Sequence, residues 1–228
     1  MRYADIGKAL KGTGLFCRGG FRPGPDDGVP GVSGDANAGV VMIGNAGSGI
    51  WPPFEASRPQ RRRKNEPHPM NEWTRDVMSP IAARLGAKVL FPFDGPPYYP
   101  FQRWALKADC VWPSPIGPLI HPHFGLWHAY RAALVFGPGT DLPARPSRAN
   151  PCDGCADRPC LSTCMVGAFS VDGYDVPACT GHIATPAGEE CMRLSCQARR
   201  ACPVGRDFIY QPDHARFHMS KFLQSHGS

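Results

Sequence analysis

The sequence has no long apolar run and no secretory leader of the usual kind. No stretch approaches the roughly 20 consecutive apolar residues that a membrane-spanning helix needs. The segment Met1–Lys11 lacks the apolar core of a signal peptide. We therefore expect a cytoplasmic protein with no membrane partner. Because the cytoplasm keeps thiols reduced, its ten cysteines are not expected to form disulfides.

Charged residues are few, at 19% against 42% apolar residues, and this balance excludes a disordered chain. The 228 residues suffice for one good-sized domain with an appended module, or for two small domains. With 26 glycines and 26 prolines, we expect many turns and loops. The formal net charge of +6 suits an anionic partner or cofactor, but charge alone does not separate a nucleic acid from a phosphate group.

Segments with strand and helix character alternate in the first part of the chain. The apolar run Val40–Ile43 is typical of a buried strand. Gly44–Gly49 follows it and is interpreted as a tight turn rather than a phosphate cradle, and Pro52-Pro53 argue against an immediate helix. Asn71–Leu85 has the apolar spacing of a helix, and Lys88–Phe93 has that of the next strand. This alternation predicts an α/β or α+β core.

Eight of the ten cysteines lie close together, between Cys152 and Cys202, after the proline-rich linker Pro143–Pro151. Clustered cysteines in an intracellular protein are typical of metal ligands. Eight thiolates equal the ligand requirement of two [4Fe–4S] clusters, each held by four cysteines. The predicted ligands are Cys152, Cys155, Cys160, Cys164, Cys179, Cys191, Cys196 and Cys202.

The cysteine spacing, with its first run Cys152-x2-Cys155-x4-Cys160-x3-Cys164 and its terminal Cys202-Pro203, resembles that of the two-cluster ferredoxin family. In that family the fourth cysteine of each run binds the other cluster. The resemblance implies one cluster on Cys152, Cys155, Cys160 and Cys202, and the other on Cys164, Cys179, Cys191 and Cys196. The chain departs from the family in the longer gap between Cys155 and Cys160 and in Met165, which replaces the usual proline.

Two alternatives remain open for this module. A pair of zinc sites would also take four cysteines each, although zinc sites usually pair two C-x2-C motifs and this chain has one. A single cluster with spare thiols is the other alternative. The basic residues Arg193, Arg199 and Arg200 would either raise the potential of a nearby cluster or dock an acidic electron donor.

A second resemblance covers residues 5–140. The segment Leu119–Arg131, LIHPHFGLWHAYR, and the upstream segment Pro96–Trp104, PPYYPFQRW, resemble sequences of the CblC (MMACHC) cobalamin-processing family. The resemblance implies a nitroreductase-like α/β fold that binds cobalamin, or alternatively FMN, in a cavity. The residues that it implies for cofactor binding are Tyr98, Tyr99, Gln102, His121, Phe124, Gly125, Trp127 and Arg131.

The order of the two parts also resembles a known architecture. Epoxyqueuosine reductases and reductive dehalogenases join a related domain to a C-terminal pair of [4Fe–4S] clusters. The resemblance implies an α+β protein, with a CblC-like cofactor-binding domain over residues 1–142 and a small, loop-rich, ferredoxin-like module with a C-terminal tail over residues 143–228. Arg131 takes the place of the arginine with which the CblC family holds an anionic thiol. The sequence has no D-x-H-x-x-G run, so we expect a corrinoid held base-off, without a histidine on cobalt.

Apart from any family resemblance, the side chains of these segments are suited to a cofactor-binding or catalytic site. His121, His123 and His128 lie within eight positions, and histidine is the side chain best suited to transfer protons or bind metal near neutrality. The aromatic residues around Tyr99 suit a large planar ring. The alternative is that the aromatic residues belong to the core and that His121-Pro122 is a loop.

The leading hypothesis is an oxidoreductase that delivers single electrons through two clusters to a cobalamin, with reductive removal of the upper ligand. Its electron donor would be a cytosolic flavodoxin, ferredoxin or reductase. One alternative is a ferredoxin-type electron carrier without its own substrate. Another is a tRNA-modifying enzyme like the epoxyqueuosine reductases, with Asp94 or Asp109 as its acid. The RNA-binding repeats of that class have no counterpart here, so a nucleic-acid partner is not expected.

Overall fold

The computed structural model describes residues 1–30, 38–63, 67–170 and 173–227, without the side chains of residues 59–63. The chain forms two compact units. The sheet unit consists of Met1–Cys110 and Ala129–Ser147, and the cysteine unit consists of Val111–His128 and Arg148–Ser228. The sequence-based domain division after residue 142 stays a prediction. That division did not anticipate that Val111–His128 belongs to the same unit as Arg148–Ser228, which contains the eight clustered cysteines.

The elements are short, as the many glycines and prolines led us to expect. The strands are β1 Phe16–Phe21, β2 Gly39–Ala46, β3 Lys88–Leu90, β4 Trp112–Pro113, β5 Leu119–Ile120, β6 His128–Phe136, β7 Phe169–Ser170 and β8 Gly173–Tyr174. The α-helices are α1 Tyr3–Ala9, α2 Trp51–Arg63, α3 Pro69–Leu85, α4 Phe101–Ala108, α5 Pro159–Ser162, α6 Val176–Ile183, α7 Glu189–Leu194, α8 Gln197–Ala201 and α9 Pro212–His226. Within the described ranges, no helix has both the length and the apolar character needed to cross a membrane.

The sheet unit is built on a four-stranded sheet in the order β1-β2-β6-β3. β1 pairs antiparallel with β2, and β3 pairs antiparallel with β6. Val40–Ile43 lies in β2 and is fully buried, which confirms the predicted strand. The predicted strand Lys88–Phe93 ends early, at Leu90, because the chain turns there and the Asp94 N–H donates to the Phe91 carbonyl at 3.2 Å. The unit is therefore mixed α/β, as the sequence predicted.

The helix after the glycine-rich turn corrects one expectation. α2 begins at Trp51, so Pro52 and Pro53 lie inside its first turn. The first N–H groups of a helix have no partner within the helix, so a proline there removes no hydrogen bond. The Trp51 N–H donates to the Ser48 carbonyl at 2.9 Å, which joins the turn to the helix. The expectation that these prolines prevent an immediate helix was wrong.

A buried ion pair joins β1 to the residue that follows α4. Arg18 and Asp109 are 3% and 6% exposed, and the Arg18 Nε–H donates to Asp109 Oδ2 at 2.8 Å. The Tyr130 hydroxyl donates to the same oxygen at 2.8 Å, and the Cys110 N–H donates to Oδ1 at 2.7 Å. Both carboxylate oxygens are thus satisfied inside the sheet unit, and the charge of Arg18 is matched.

The cysteine unit contains α5–α9 and the two-stranded sheets β4–β5 and β7–β8. Its apolar packing includes two clusters that contain cysteines. The first is Ile116, Ile120, Leu126, Ala198 and Cys202, and the second is Ala168, Cys179, Ile183 and Cys191. Cys164 packs against both of these clusters. A further cluster consists of Trp127, Tyr210 and Ala215. Cysteines thus form part of the core of this unit.

Candidate functional site

One cavity is lined by the first cysteine set, which consists of Cys152, Cys155, Cys160 and Cys202, and the space between its walls, including open solvent, is about 330 Å³. Pro159 begins α5 and places Cys160 in its first turn, and Cys202 follows α8 directly. Ile120 and Val204 supply aliphatic wall, and Arg158 lies at the cavity as well. Four sulfurs therefore face one largely apolar space.

A second cavity is lined by the second cysteine set, which consists of Cys164, Cys179, Cys191 and Cys196, and the space between its walls, including open solvent, is about 340 Å³. α6 carries Cys179, and its N-cap Asp175 accepts a hydrogen bond from the Ala178 N–H at 2.9 Å. Cys191 lies in α7, and Cys196 is the N-cap residue of α8. Short helices thus position this set, as they do the first.

The two sets are those that the ferredoxin resemblance implied. The structure brings the eight predicted cysteines together in two groups of four, all as free thiols. In the part of the chain that the structure describes, no three or more His, Cys, Asp or Glu side chains form a group suited to a single metal ion. The role of the eight cysteines as cluster ligands therefore stays a prediction.

Burial raises the pKa of several of these thiols. The pKa of Cys196 is raised to about 11, and those of Cys152, Cys160 and Cys202 are also raised, with burial as the largest cause in each. Without a bound metal, these groups are protonated near neutral pH. Metal binding would have to displace those protons, because the thiolate is the ligand.

A backbone N–H group is directed at a cysteine sulfur of the second set. The Ala168 N–H donates to Cys164 Sγ at 3.4 Å. Hydrogen bonds of this kind tune a metal-bound sulfur, so Cys164 has one feature of a cluster ligand.

Backbone strain occurs beside both sets. Ser195 has φ 75° and ψ 168°, in a region that is essentially restricted to glycine, and it directly precedes Cys196. Arg158 has φ 38° and lies two residues before Cys160. Such strain costs about 1–3 kcal/mol per residue and concentrates at functional sites. One strained residue thus lies close to a predicted ligand in each set.

Residues 121–125, within the segment Leu119–Arg131, form a small hairpin that packs beside the end of the first cysteine set. The N–H and C=O groups of His121 and Gly125 pair in both directions, at 2.9 and 2.8 Å. A Cβ at Gly125 would lie 2.0 Å from the Val204 carbonyl oxygen, and a Cβ at Gly205 would lie 2.3 Å from the Phe124 carbonyl carbon. The two backbones can approach this closely because Gly125 and Gly205 have no Cβ. The hairpin thus packs against the turn that follows Cys202.

His121 organises the hairpin from within. Its Nδ1 accepts hydrogen bonds from the N–H groups of His123 and Phe124 at 3.0 and 3.2 Å. In the neutral ring the proton is therefore on Nε2. The His121 ring stacks on Phe124 at 4.4 Å and meets His128 edge-on at 6.0 Å. His121 and Phe124 thus form one local group within the hairpin.

Trp127 and Arg199 pack inside the cysteine unit. Trp127 is fully buried, with Tyr210 at 5.2 Å and the Arg199 guanidinium 4.3 Å above its ring. Arg199 also donates twice to the Leu126 carbonyl, and Arg200 pairs with Glu190. The Trp127 ring is therefore not open to solvent, and its predicted contact with a cofactor is untested.

The other predicted cofactor residues lie in the sheet unit. Tyr98 is 65% exposed, and Gln102 is exposed on α4. Tyr99 stacks on the buried Trp104 at 5.8 Å. Arg131 donates to the Met70 carbonyl at 3.0 Å and to Thr74 Oγ1 at 2.9 Å, so α3 holds its guanidinium. The structure divides the eight predicted residues between its two units, and their joint role stays a prediction.

Two residues near the cysteines were missed from sequence. Ser195 carries the backbone strain, and Gly205 permits the approach of the hairpin. The Val-Gly pair directly after Cys202-Pro203 was a visible signal for Gly205. Nothing in the sequence distinguishes Ser195 from an ordinary loop residue.

Comparison with known proteins finds a similar fold among solved structures. No protein-family model matches the chain, and no curated protein matches it. The solved structure of a B12-trafficking protein CblC from C. elegans, a human MMACHC homologue, is similar with a TM-score of 0.57. The two share 12% sequence identity over 97% of this chain and 94% of the other. The fold is CblC-like.

At this identity the similarity shows the fold alone. It confirms the mixed α/β, CblC-like expectation for the chain. Because it covers 97% of the chain, it extends into the cysteine unit and does not end before it. It gives no support for a separate ferredoxin-like module, which stays a prediction.

Proposed function

We propose that this chain is a redox protein that holds two [4Fe–4S] clusters and delivers single electrons to a cobalamin. The observation that carries the proposal is the separation of eight cysteines into two sets of four, each around its own cavity. Four thiolates are the ligand requirement of one such cluster. When bound, the clusters supply one-electron transfer at low potential, and a corrinoid supplies a cobalt that accepts electrons.

The chain's own residues would hold and tune the clusters. Cys152, Cys155, Cys160 and Cys202 would bind one, and Cys164, Cys179, Cys191 and Cys196 the other. The aliphatic walls would exclude water, and the Ala168 N–H at Cys164 would lower the charge on that sulfur. The zinc alternative requires all four sulfurs of a set within about 2.3 Å of one ion.

The cobalamin part of the proposal is supported by the fold. CblC, which has the same fold, is named for B12 trafficking. The exposed Tyr98 and Gln102 are available to a ligand, and α3 holds Arg131 in place. We expect the corrinoid to be held base-off, and we include reductive removal of its upper ligand. FMN is the alternative ligand, and a cytosolic flavodoxin, ferredoxin or reductase is the proposed donor.

One observation bears on the tRNA-modifying alternative. Asp109 is buried and bound by Arg18 and Tyr130, and Asp94 is paired with Arg75 at 2.7 Å. Both carboxylates that the sequence offered as acids thus have structural partners, which disfavours this alternative. The electron-carrier alternative shares the clusters and differs only in lacking a cobalamin.

Metal analysis of anaerobically reconstituted protein tests the proposal. We expect about eight iron atoms and about eight sulfides per chain, and the EPR signals of reduced cubane clusters after reduction with dithionite. About four iron atoms would leave one cluster with spare thiols. Stoichiometric zinc in protein purified without reconstitution, with no iron uptake, would overturn the proposal.

A further inference from the structure

Neutral groups hold the guanidinium of Arg199 inside the cysteine unit. Its Nε–H and Nη2–H groups donate to the Leu126 carbonyl at 3.1 and 2.6 Å. The guanidinium also lies over the rings of Trp127 and Tyr210, 4.3 and 4.7 Å from their centroids. Both rings are buried, so two aromatic walls and a backbone carbonyl fix the position of the cation.

These contacts leave the charge of Arg199 without a counter-charge. A carbonyl and two aromatic rings are neutral, whereas the next residue, Arg200, pairs with Glu190. Among the residues that the structure describes, no carboxylate lies within ion-pair distance of Arg199. Because a guanidinium does not lose its proton in a protein, the unit carries one fixed positive charge at this position.

Both ends of Arg199 are attached to the surroundings of the first cysteine set. Its carbonyl accepts a hydrogen bond from the Cys202 N–H at 3.4 Å. Leu126, whose carbonyl holds the guanidinium, packs in the same apolar cluster as Cys202 and Ile120. Ile120 and Cys202 in turn line the first cavity. The charge therefore lies beside the apolar packing around Cys202, which screens it less than water would.

We propose that Arg199 raises the reduction potential of the cluster on the first cysteine set through its fixed positive charge. The inference rests on the proposed function, because it requires a cluster on that set. Reduction adds one electron from the donor to the cluster, and a nearby positive charge stabilises the added negative charge. The sequence left open whether Arg199 raises a potential or docks an acidic donor. The contacts with Leu126, Trp127 and Tyr210 favour the first role.

The test is a redox titration of Arg199→Gln, with the EPR signals of the reduced clusters followed against potential. Glutamine removes the charge and keeps an N–H donor for the Leu126 carbonyl. At a fixed potential near the midpoint, we expect the ratio of reduced to oxidised cluster to fall about tenfold for the couple on the first set. For one electron this is a shift of about 59 mV to more negative potential. A unit charge about 10 Å away has an effect of this size at an effective dielectric constant of about 20.

Two further variants serve as controls. Arg199→Lys keeps the positive charge but loses the forked pair of hydrogen bonds, so its potential should stay near that of the parent protein. Arg148→Gln removes an exposed charge from the same unit, at a position that lines neither cysteine cavity. Because solvent and salt screen an exposed charge, this variant should shift neither couple. The Cys191→Ala variant, which leaves the first set intact, identifies the couple of that set.

Iron content is measured for each variant, and Arg199→Met is the second neutral variant if Arg199→Gln binds less iron. Equal potentials in the parent and the neutral variants, with both clusters bound, would overturn the inference and leave the proposed function intact. An equal fall in Arg199→Gln and Arg199→Lys would also overturn it, because packing rather than charge would then set the potential. Absence of cluster signals in the parent protein would instead overturn the proposed function.

Discussion

The Cys155→Ala variant and, separately, the Cys191→Ala variant should each bind about four iron atoms where the parent protein binds about eight. The structure places Cys155 at the first cavity and Cys191 at the second, so each change removes a ligand from one set only. Alanine is chosen because a serine oxygen can replace a lost thiolate. Iron and sulfide per chain after anaerobic reconstitution measure the effect, and EPR shows which signal remains.

Cys17→Ala is the matched control, because Cys17 lies in β1 of the sheet unit, outside both sets. It should retain the iron content of the parent protein. The double variant Cys155→Ala/Cys191→Ala should bind almost no iron, with a circular dichroism spectrum that still shows a folded sheet unit. Equal iron in the parent and both single variants would contradict the assignment of the cysteines to two clusters.

The Asp109→Ala variant should lower the free energy of unfolding by about 3–5 kcal/mol, because it leaves the charge of the buried Arg18 without a partner. Arg18 is 3% exposed, and its NH2 group lies 2.7 Å from Asp109 Oδ2. The change also removes the acceptor of the Tyr130 hydroxyl. Urea unfolding followed by tryptophan fluorescence measures the loss.

Asp94→Ala provides the comparison within the same unit. The Arg75–Asp94 pair has a similar distance, 2.7 Å, but its side chains are 40% and 31% exposed. Exposed pairs contribute about 0–1 kcal/mol, so this variant should change little. If the two variants have the same free energy of unfolding, burial of the Arg18–Asp109 pair adds nothing to the stability of the protein. If Asp109→Ala keeps the full free energy of unfolding and changes redox activity, Asp109 would be favoured as the catalytic acid of the tRNA-modifying alternative.

The features that the sequence predicted are those with a local pattern. The fully buried run Val40–Ile43 lies in a strand, and the eight clustered cysteines form two groups. The strand follows from residue types over a short distance, whereas the grouping of Cys202 with Cys152, Cys155 and Cys160 was implied by the resemblance to two-cluster ferredoxins. The error at Pro52-Pro53 has a local cause too, because the position of a proline within a helix decides whether it is tolerated.

The features that the sequence could not predict depend on contacts between distant segments. The hairpin around His121 packs with the cysteines because Gly125 and Gly205 meet, 80 positions apart in sequence. Trp127 has an aromatic side chain suited to a ligand, yet Arg199 and Tyr210 cover it.

Anaerobic mixing of the reduced, cluster-loaded protein with cob(III)alamin tests the central claim most directly. Absorbance spectra follow the cobalamin and the clusters together, without any other reductant present. The account predicts that the cobalamin binds, that its spectrum changes to that of a reduced corrinoid, and that the clusters are oxidised by the same number of electrons. Clusters that stay reduced beside an unchanged cobalamin spectrum would contradict it and favour a simple electron carrier.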